Sequence, residues 1–179
     1  MRVVKLGGSL LSSGALPDCL QRLAAWRGPT LLVPGGGVFA DQVRLMQQRY
    51  AFDDRAAHYM AILAMQQMAY LCQALQPGFK LCENLTDLPA VGVSIWSPQI
   101  AQLDQAGIPA SWRVTSDSLA AWAAAEIDAE QLILVKAAHI DAGAGWLGLQ
   151  AQGVVDAAFA DFAGRLRCPV QIIHQDDLT

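Results

Sequence analysis

Two short apolar runs, each stopped by a cluster of glycines, constrain this chain more than any other feature. Residues 3–9 read VVKLGGS and residues 31–37 read LLVPGGG. A brief apolar run closed by glycine is the pattern of a buried strand entering a tight turn. Glycine there lets an anion approach the backbone, and a following helix offers N–H groups without partners. Two such turns at successive strand ends predict a phosphate-binding edge. Neither turn is a Walker loop of the form GxxxxGK[ST], and neither reads GxGxxG.

The rest of the chain alternates apolar runs with helical stretches. Strands are predicted at Val3–Leu6, Thr30–Val33, Phe79–Cys82, Val91–Ile95, Trp112–Thr115, Gln131–Lys136 and Val170–His174. Helices are predicted from Pro17 to about Trp26, and over Val38–Arg49, Arg55–Leu75, Ser97–Gln105, Ser116–Glu126 and Asp156–Ala163, with Ala142–Gly148 as a glycine-rich loop. Such alternation implies an α/β fold, a three-layer αβα sandwich around a mostly parallel sheet, with ligands outside the C-terminal strand ends. At 179 residues the whole chain, 1–179, is expected to form a single domain. The long stretch from Arg55 to Leu75 is apolar nearly all round, which predicts burial on more than one side and a homodimer interface.

Composition excludes several classes. A net charge of −4 argues against nonspecific binding to nucleic acid or to an anionic membrane, so an anionic ligand must be held by local groups. Cys19, Cys72, Cys82 and Cys168 never fall at CxxC spacing, and His58, His139 and His174 are far apart, so neither a zinc site nor a disulfide framework is expected. No metal ligand set is assigned. The lysine and two glycines near the N-terminus break any leader-like apolar run, so a cytoplasmic location is expected.

Lysine occurs only at Lys5, Lys80 and Lys136. Lys5 and Lys136 sit in or at the ends of apolar strands, where a cation needs an anion beside it. Asp117, in VTSDSLAA, is a candidate for that anion or a plain helix cap. Arg49, Arg55 and Arg113 are forks able to grip an acceptor phosphate. His58 follows Asp54 at helical spacing and is a candidate acid, base or acceptor ligand, and Thr115 is grouped with it.

VVKLGGSLL, VPGGGVFAD, VTSDSLAAWAA and ILVKAAHID stand in the order found in the amino-acid kinase family, which the chain resembles over nearly its whole length. FDDRAAHYMAILAM and WRVTSDSLAAW further resemble the archaeal kinase of methanofuran biosynthesis and its methylotroph relatives, which extends an aminomethylfuran methyl phosphate to a diphosphate. The resemblance implies an ATP- and Mg2+-dependent kinase acting on a small, already phosphorylated acceptor. It places Lys5, Asp117 and Lys136 at the catalytic centre, and Gly7, Gly8, Ser9, Gly35, Gly36 and Gly37 around phosphate. Lys136 and Asp141 would contact the nucleotide, while Arg55, His58, Arg113 and Thr115 would contact the acceptor. The sequence also departs from the family. Where uridylate kinases carry a pattern like KATKVDG, residues 136–142 read KAAHIDA, and the loop that follows is shortened to GAGWLGLQAQG. A catalytically silent metabolite- or nucleotide-binding protein on the same fold is therefore the alternative.

Overall fold

The computed structural model describes residues 1–138, 140 and 143–179. Six strands form one sheet: β1 (Arg2–Leu6), β2 (Thr30–Pro34), β3 (Lys80–Cys82), β4 (Val93–Trp96), β5 (Gln131–Lys136) and β6 (Val170–His174). Their order is β3-β4-β2-β1-β5-β6, and every pairing is parallel. Parallel neighbours need crossover connections, and helices supply them. The helices are α1 (Ser9–Ser12), α2 (Leu16–Ala24), α3 (Gly37–Tyr50), α4 (Asp54–Leu75), α5 (Ile100–Gln105), α6 (Ser116–Glu126), α7 (Trp146–Ala151) and α8 (Phe159–Ala163).

Period-2 alternation divides the core into two layers. Val3, Leu132 and Leu134 face one layer, packed with α6 and α8; Val4, Leu6, Ile133 and Val135 face the other, packed with α2. Helix α4 spans both layers, with Ile62 and Met65 in the first and Met68, Ala69 and Cys72 in the second. That position explains its broad apolar surface. Even so, Met60, Leu63 and Tyr70 remain 39%, 46% and 61% exposed, more apolar surface than the core uses.

The largest differences from the sequence expectation lie in the second half of the chain. Residues 112–115 are not a strand: they form a turn, in which Val114 N–H donates to Ser111 C=O. Helix α5 starts at Ile100 rather than Ser97, after Pro98. Gly148 is helical, because α7 starts at Trp146 inside the glycine-rich stretch. Helix α8 starts at Phe159 rather than Asp156, whose carboxylate is engaged elsewhere. No helix among the described residues is long and apolar enough to cross a membrane.

Candidate functional site

The two glycine turns meet because β1 and β2 are parallel neighbours, with Leu6 opposite Pro34. Their backbones touch. A Cβ on Gly8 would stand 2.5 Å from Gly37 N, and one on Gly35 would stand 2.6 Å from Gly8 N. Gly37 also has φ +52°, a left-handed conformation that side chains resist. Glycine is thus required by turn-against-turn packing.

The turns differ in what their N–H groups do. Gly7 N–H donates to Val135 C=O and Gly35 N–H to Leu6 C=O, at 3.0 and 2.9 Å. Those two N–H groups extend the sheet and are not open to a phosphate. The N–H groups of Gly8, Ser9, Gly36 and Gly37 have no acceptor among the described residues. Gly36 caps the 14-residue helix α3, so these donors stand where backbone polarity favours an anion.

Strand parity sets the charged centre. Lys5 pairs with Leu134 in the β1–β5 register, so Lys5 and Lys136 point to the same face of the sheet. That face carries α6, with Asp117 in its first turn. Lys5 Nζ lies 2.6 Å from Asp117 Oδ1, while Lys136 Nζ lies 2.8 Å from Oδ1 and 2.9 Å from Oδ2. All three side chains are buried. Burial pushes the Asp117 carboxyl up, but the two ammonium groups outweigh it and hold it below its usual value. Burial and the charge of Lys5 lower Lys136 to about 8, with Asp117 opposing them. The cluster carries two cations and one anion, so it presents net positive charge in a dry setting.

Beside this centre is a cavity of about 280 Å³, walled by the glycine turns and by α1, α3, α4 and the start of α6. Its apolar lining includes Ile62, Met65 and Leu119. His58 reaches it from α4. Burial pushes the His58 imidazole below its usual value, against a backbone hydrogen bond at Ser111 and the charge of Asp104. Thr115 also lines the cavity, but its N–H and Oγ1 both donate to Asp156 Oδ2.

Three expected acceptor residues lie elsewhere. Arg55 is exposed and donates from Nε to Tyr59 Oη at 2.9 Å, away from the cavity. Arg113 lines a separate groove beside α8, because the turn at 112–115 directs it there. Arg49 sits over the Tyr50 ring, also outside. The arginine at the cavity is Arg44, which the sequence reading did not single out. Its guanidinium is 3.8 Å above the Trp112 ring centroid, and Trp112 Nε1 donates to Gln47 Oε1 at 2.6 Å. Helical spacing from the Gly36 cap, two turns along α3, was the available signal for Arg44. Asp141 lies outside the described residues.

A further glycine string, GAGWLG at 143–148, satisfies GxGxxG. It begins seven residues after β5 and overlaps a six-residue helix, so it lacks the strand–turn–helix setting of a dinucleotide loop. Among the described residues, no group of three or more His, Cys, Asp or Glu is placed to hold a metal.

The profile of the Amino acid kinase family matches residues 1–139. No curated protein matches the chain significantly. Solved structures of the same fold include uridylate kinase from Archaeoglobus fulgidus, at TM-score 0.67 and 18% identity, covering 97% of this chain and 91% of that one. UMP kinase from Bacillus anthracis matches at TM-score 0.67 and 13% identity, over 98% and 87%. Isopentenyl phosphate kinase from T. acidophilum matches at TM-score 0.62 and 10% identity, over 99% and 92%.

Proposed function

Because the chain belongs to the amino acid kinase family, we propose that it is an ATP-dependent kinase transferring a phosphoryl group to a small, already phosphorylated acceptor. One observation carries this reading: a buried aspartate holds two strand-end lysines beside two glycine turns whose outer N–H groups have no acceptor among the described residues. Phosphoryl transfer asks mainly for positioning and neutralisation of spreading negative charge. Lys5 and Lys136 supply fixed cations, and the N–H groups of Gly8, Ser9, Gly36 and Gly37 supply fixed dipoles. Asp117 holds both ammonium groups and keeps them charged.

The donor is the Mg2+–ATP complex, a substrate. Both carboxylate oxygens of Asp117 are taken by lysines. A magnesium ion carried on nucleotide oxygens, keeping its waters, suits a site with few free carboxylates. The acceptor occupies the adjoining cavity, with its phosphate toward the turns and its body against Ile62, Met65 and Trp112. Uridylate and isopentenyl phosphate kinases, by their names, act on phosphate monoesters, which supports the same class here. Half of the residues lining the cavity come from 52–65 and 112–122, the segments that resemble the methanofuran kinase. A role in cofactor biosynthesis is part of this proposal. A homodimer through the exposed apolar face of α4 is another part, and light scattering that shows a monomer at micromolar concentration removes it.

The test is nucleotide binding followed by transfer. Saturating Mg2+–ATP, at about 100 times its Kd, stabilises the fold by about 2.7 kcal/mol and raises Tm. Labelled γ-phosphate then appears on UMP, isopentenyl phosphate or benzyl phosphate. No thermal shift with any millimolar nucleotide overturns the kinase reading in favour of a silent binding protein, the alternative that the shortened segment after Lys136 supports.

A further inference from the structure

Asp117 owes its place to the first turn of α6, yet α6 has no side-chain cap of its own: Thr115 stands at the cap position and makes no such bond. The first N–H groups of a helix need acceptors from somewhere. They find one carboxylate, Asp156, about forty residues further along the chain. Asp156 Oδ2 accepts from Thr115 N–H at 2.9 Å, from Thr115 Oγ1 at 2.8 Å and from Ser118 N–H at 2.9 Å. Its Oδ1 accepts from Ser118 Oγ, and from Ala158 N–H at 3.2 Å.

The attachment runs both ways. Ala158 N–H donates to Arg113 C=O at 2.9 Å, and the neighbours Val154 and Val155 are buried in the core. Residues 154–158 are therefore docked along 113–118 by side chain, backbone and apolar contact. The donors that Asp156 receives flank Asp117 on both sides in sequence. They also fix Thr115 and Ser116, which line the acceptor cavity.

We propose that Asp156 is a positioning residue for phosphoryl transfer: it caps α6 from outside and thereby sets where the Asp117 carboxylate stands between Lys5 and Lys136. This rests on the kinase reading above, in which those three side chains form the transfer centre. Asp156 touches none of the reacting groups. It acts through α6, and it joins the segment after β5 to the wall of the acceptor cavity. A plain cap would stabilise the helix and nothing more. A positioning residue also governs the charge state of the lysine whose partner it places.

Asp156→Asn separates the two. The amide keeps the volume, but places an NH2 against N–H and O–H donors, which breaks the external cap. Only three lysines exist, so 13C labelling of lysine side chains gives three resolvable titrations. Lys136 is opposed by burial and by Lys5, and is supported only by Asp117. If the carboxylate drifts, Lys136 titrates at lower pH than in the wild type. Turnover with isopentenyl phosphate falls roughly a hundredfold, the loss expected from a displacement of about 1 Å. Should Asp156→Asn fail to fold, Thr115→Val with Ser118→Ala keeps the carboxylate and both backbone donors. A smaller shift in the same direction is then expected. A folded Asp156→Asn, or the folded double variant, with wild-type Lys136 titration overturns the proposal and leaves Asp156 a cap. The titration needs no acceptor, so its outcome is independent of the kinase reading, which falls if the wild type transfers phosphate to nothing.

Discussion

The acceptor side of Asp117 and the stretch beyond Lys136 are built from different material. On the acceptor side, the cavity lies between α3 and α4, helices of 14 and 22 residues, the second anchored in both core layers. Beyond Lys136 the described residues form only α7 and α8, of six and five residues, before β6, and are pinned to α6 through Asp156. Long helices hold side chains to fixed positions, whereas short ones depend on the groups that tie them down. The difference places the rigid half of the site around the acceptor and the transfer centre. Lys136 is then the main fixed group on the donor side.

The largest expected effect strikes where the two halves meet. Lys5→Ala and Lys136→Ala each remove a cation matched to transition-state charge, which typically costs about 2.7–4 kcal/mol, or roughly 10²–10³ in kcat. Asp117→Asn is nearly as damaging, because two close ammonium groups lose the anion between them. Residues that act as a unit do not add. The double variant Asp117→Asn with Lys136→Ala therefore loses little more than the poorer single variant. Full turnover by Asp117→Asn in a radiolabel transfer assay would break the shared-centre account and leave Asp117 a structural partner of two buried lysines.

That centre was legible in the sequence, and the periphery was not. Strand ends rich in apolar residues make a lysine conspicuous, so Lys5 and Lys136 stood out against Val3, Val4, Leu134 and Val135. Parity then forces both toward the face of α6. Trp112–Thr115 misled because β-branched and aromatic residues carry strand propensity, while no neighbouring strand is there to pair with them. That error misplaced Arg113, since a turn aims side chains differently from a strand. Asp156 was read as the start of a helix, because its partners at Thr115 and Ser118 are remote in sequence and a lone aspartate gives no sign of a long-range cap. The sheet bonds of Gly7 and Gly35 were hidden as well, because sequence shows a glycine but not the acceptor of its N–H.

A smaller effect appears on the donor side, as pH dependence. Lys136, lowered to about 8, loses its charge as pH rises through that value. In the free enzyme, kcat/KM for nucleotide is expected to fall above about pH 8, tending to tenfold per unit. Bound triphosphate favours the charged lysine, so the limb in kcat moves to higher pH than the limb in kcat/KM. The stability sign is opposite. Between about 8 and its ordinary 10.5, Lys136 holds fewer protons folded than unfolded, so its contribution to stability rises with pH across that window. Asp117, held below its usual value, contributes stability above the ordinary carboxylate range and loses it as pH falls through its folded value. Loss of turnover above pH 8 with an undiminished melting temperature fits Lys136. Coincident limbs in kcat and kcat/KM would mean that nucleotide phosphate does not meet this lysine.

The smallest effect tests the acceptor side with two arginines that sequence alone cannot rank. Arg44 and Arg55 both lie on exposed helix surface, one on α3 and one at the start of α4. Arg44 lines the cavity and stacks on Trp112, which Gln47 holds in place. Arg55 turns the other way, to Tyr59, whose hydroxyl donates to Asp104. Arg44→Ala removes the guanidinium nearest the acceptor and frees the Trp112 ring. Uniform binding is then lost from ground and transition states alike, so acceptor KM rises while kcat holds. A tenfold rise corresponds to about 1.4 kcal/mol, within the range for a charged contact that is partly open to water. Arg55→Ala should leave both constants alone, since its exposed side chain pairs with Tyr59 outside the cavity. Steady-state kinetics against acceptor concentration separates the two. If Arg55→Ala raised KM and Arg44→Ala did not, the acceptor would enter from the α4 side, beside Tyr59. The cavity between α3 and α4 would then be a packing defect, not the acceptor's seat.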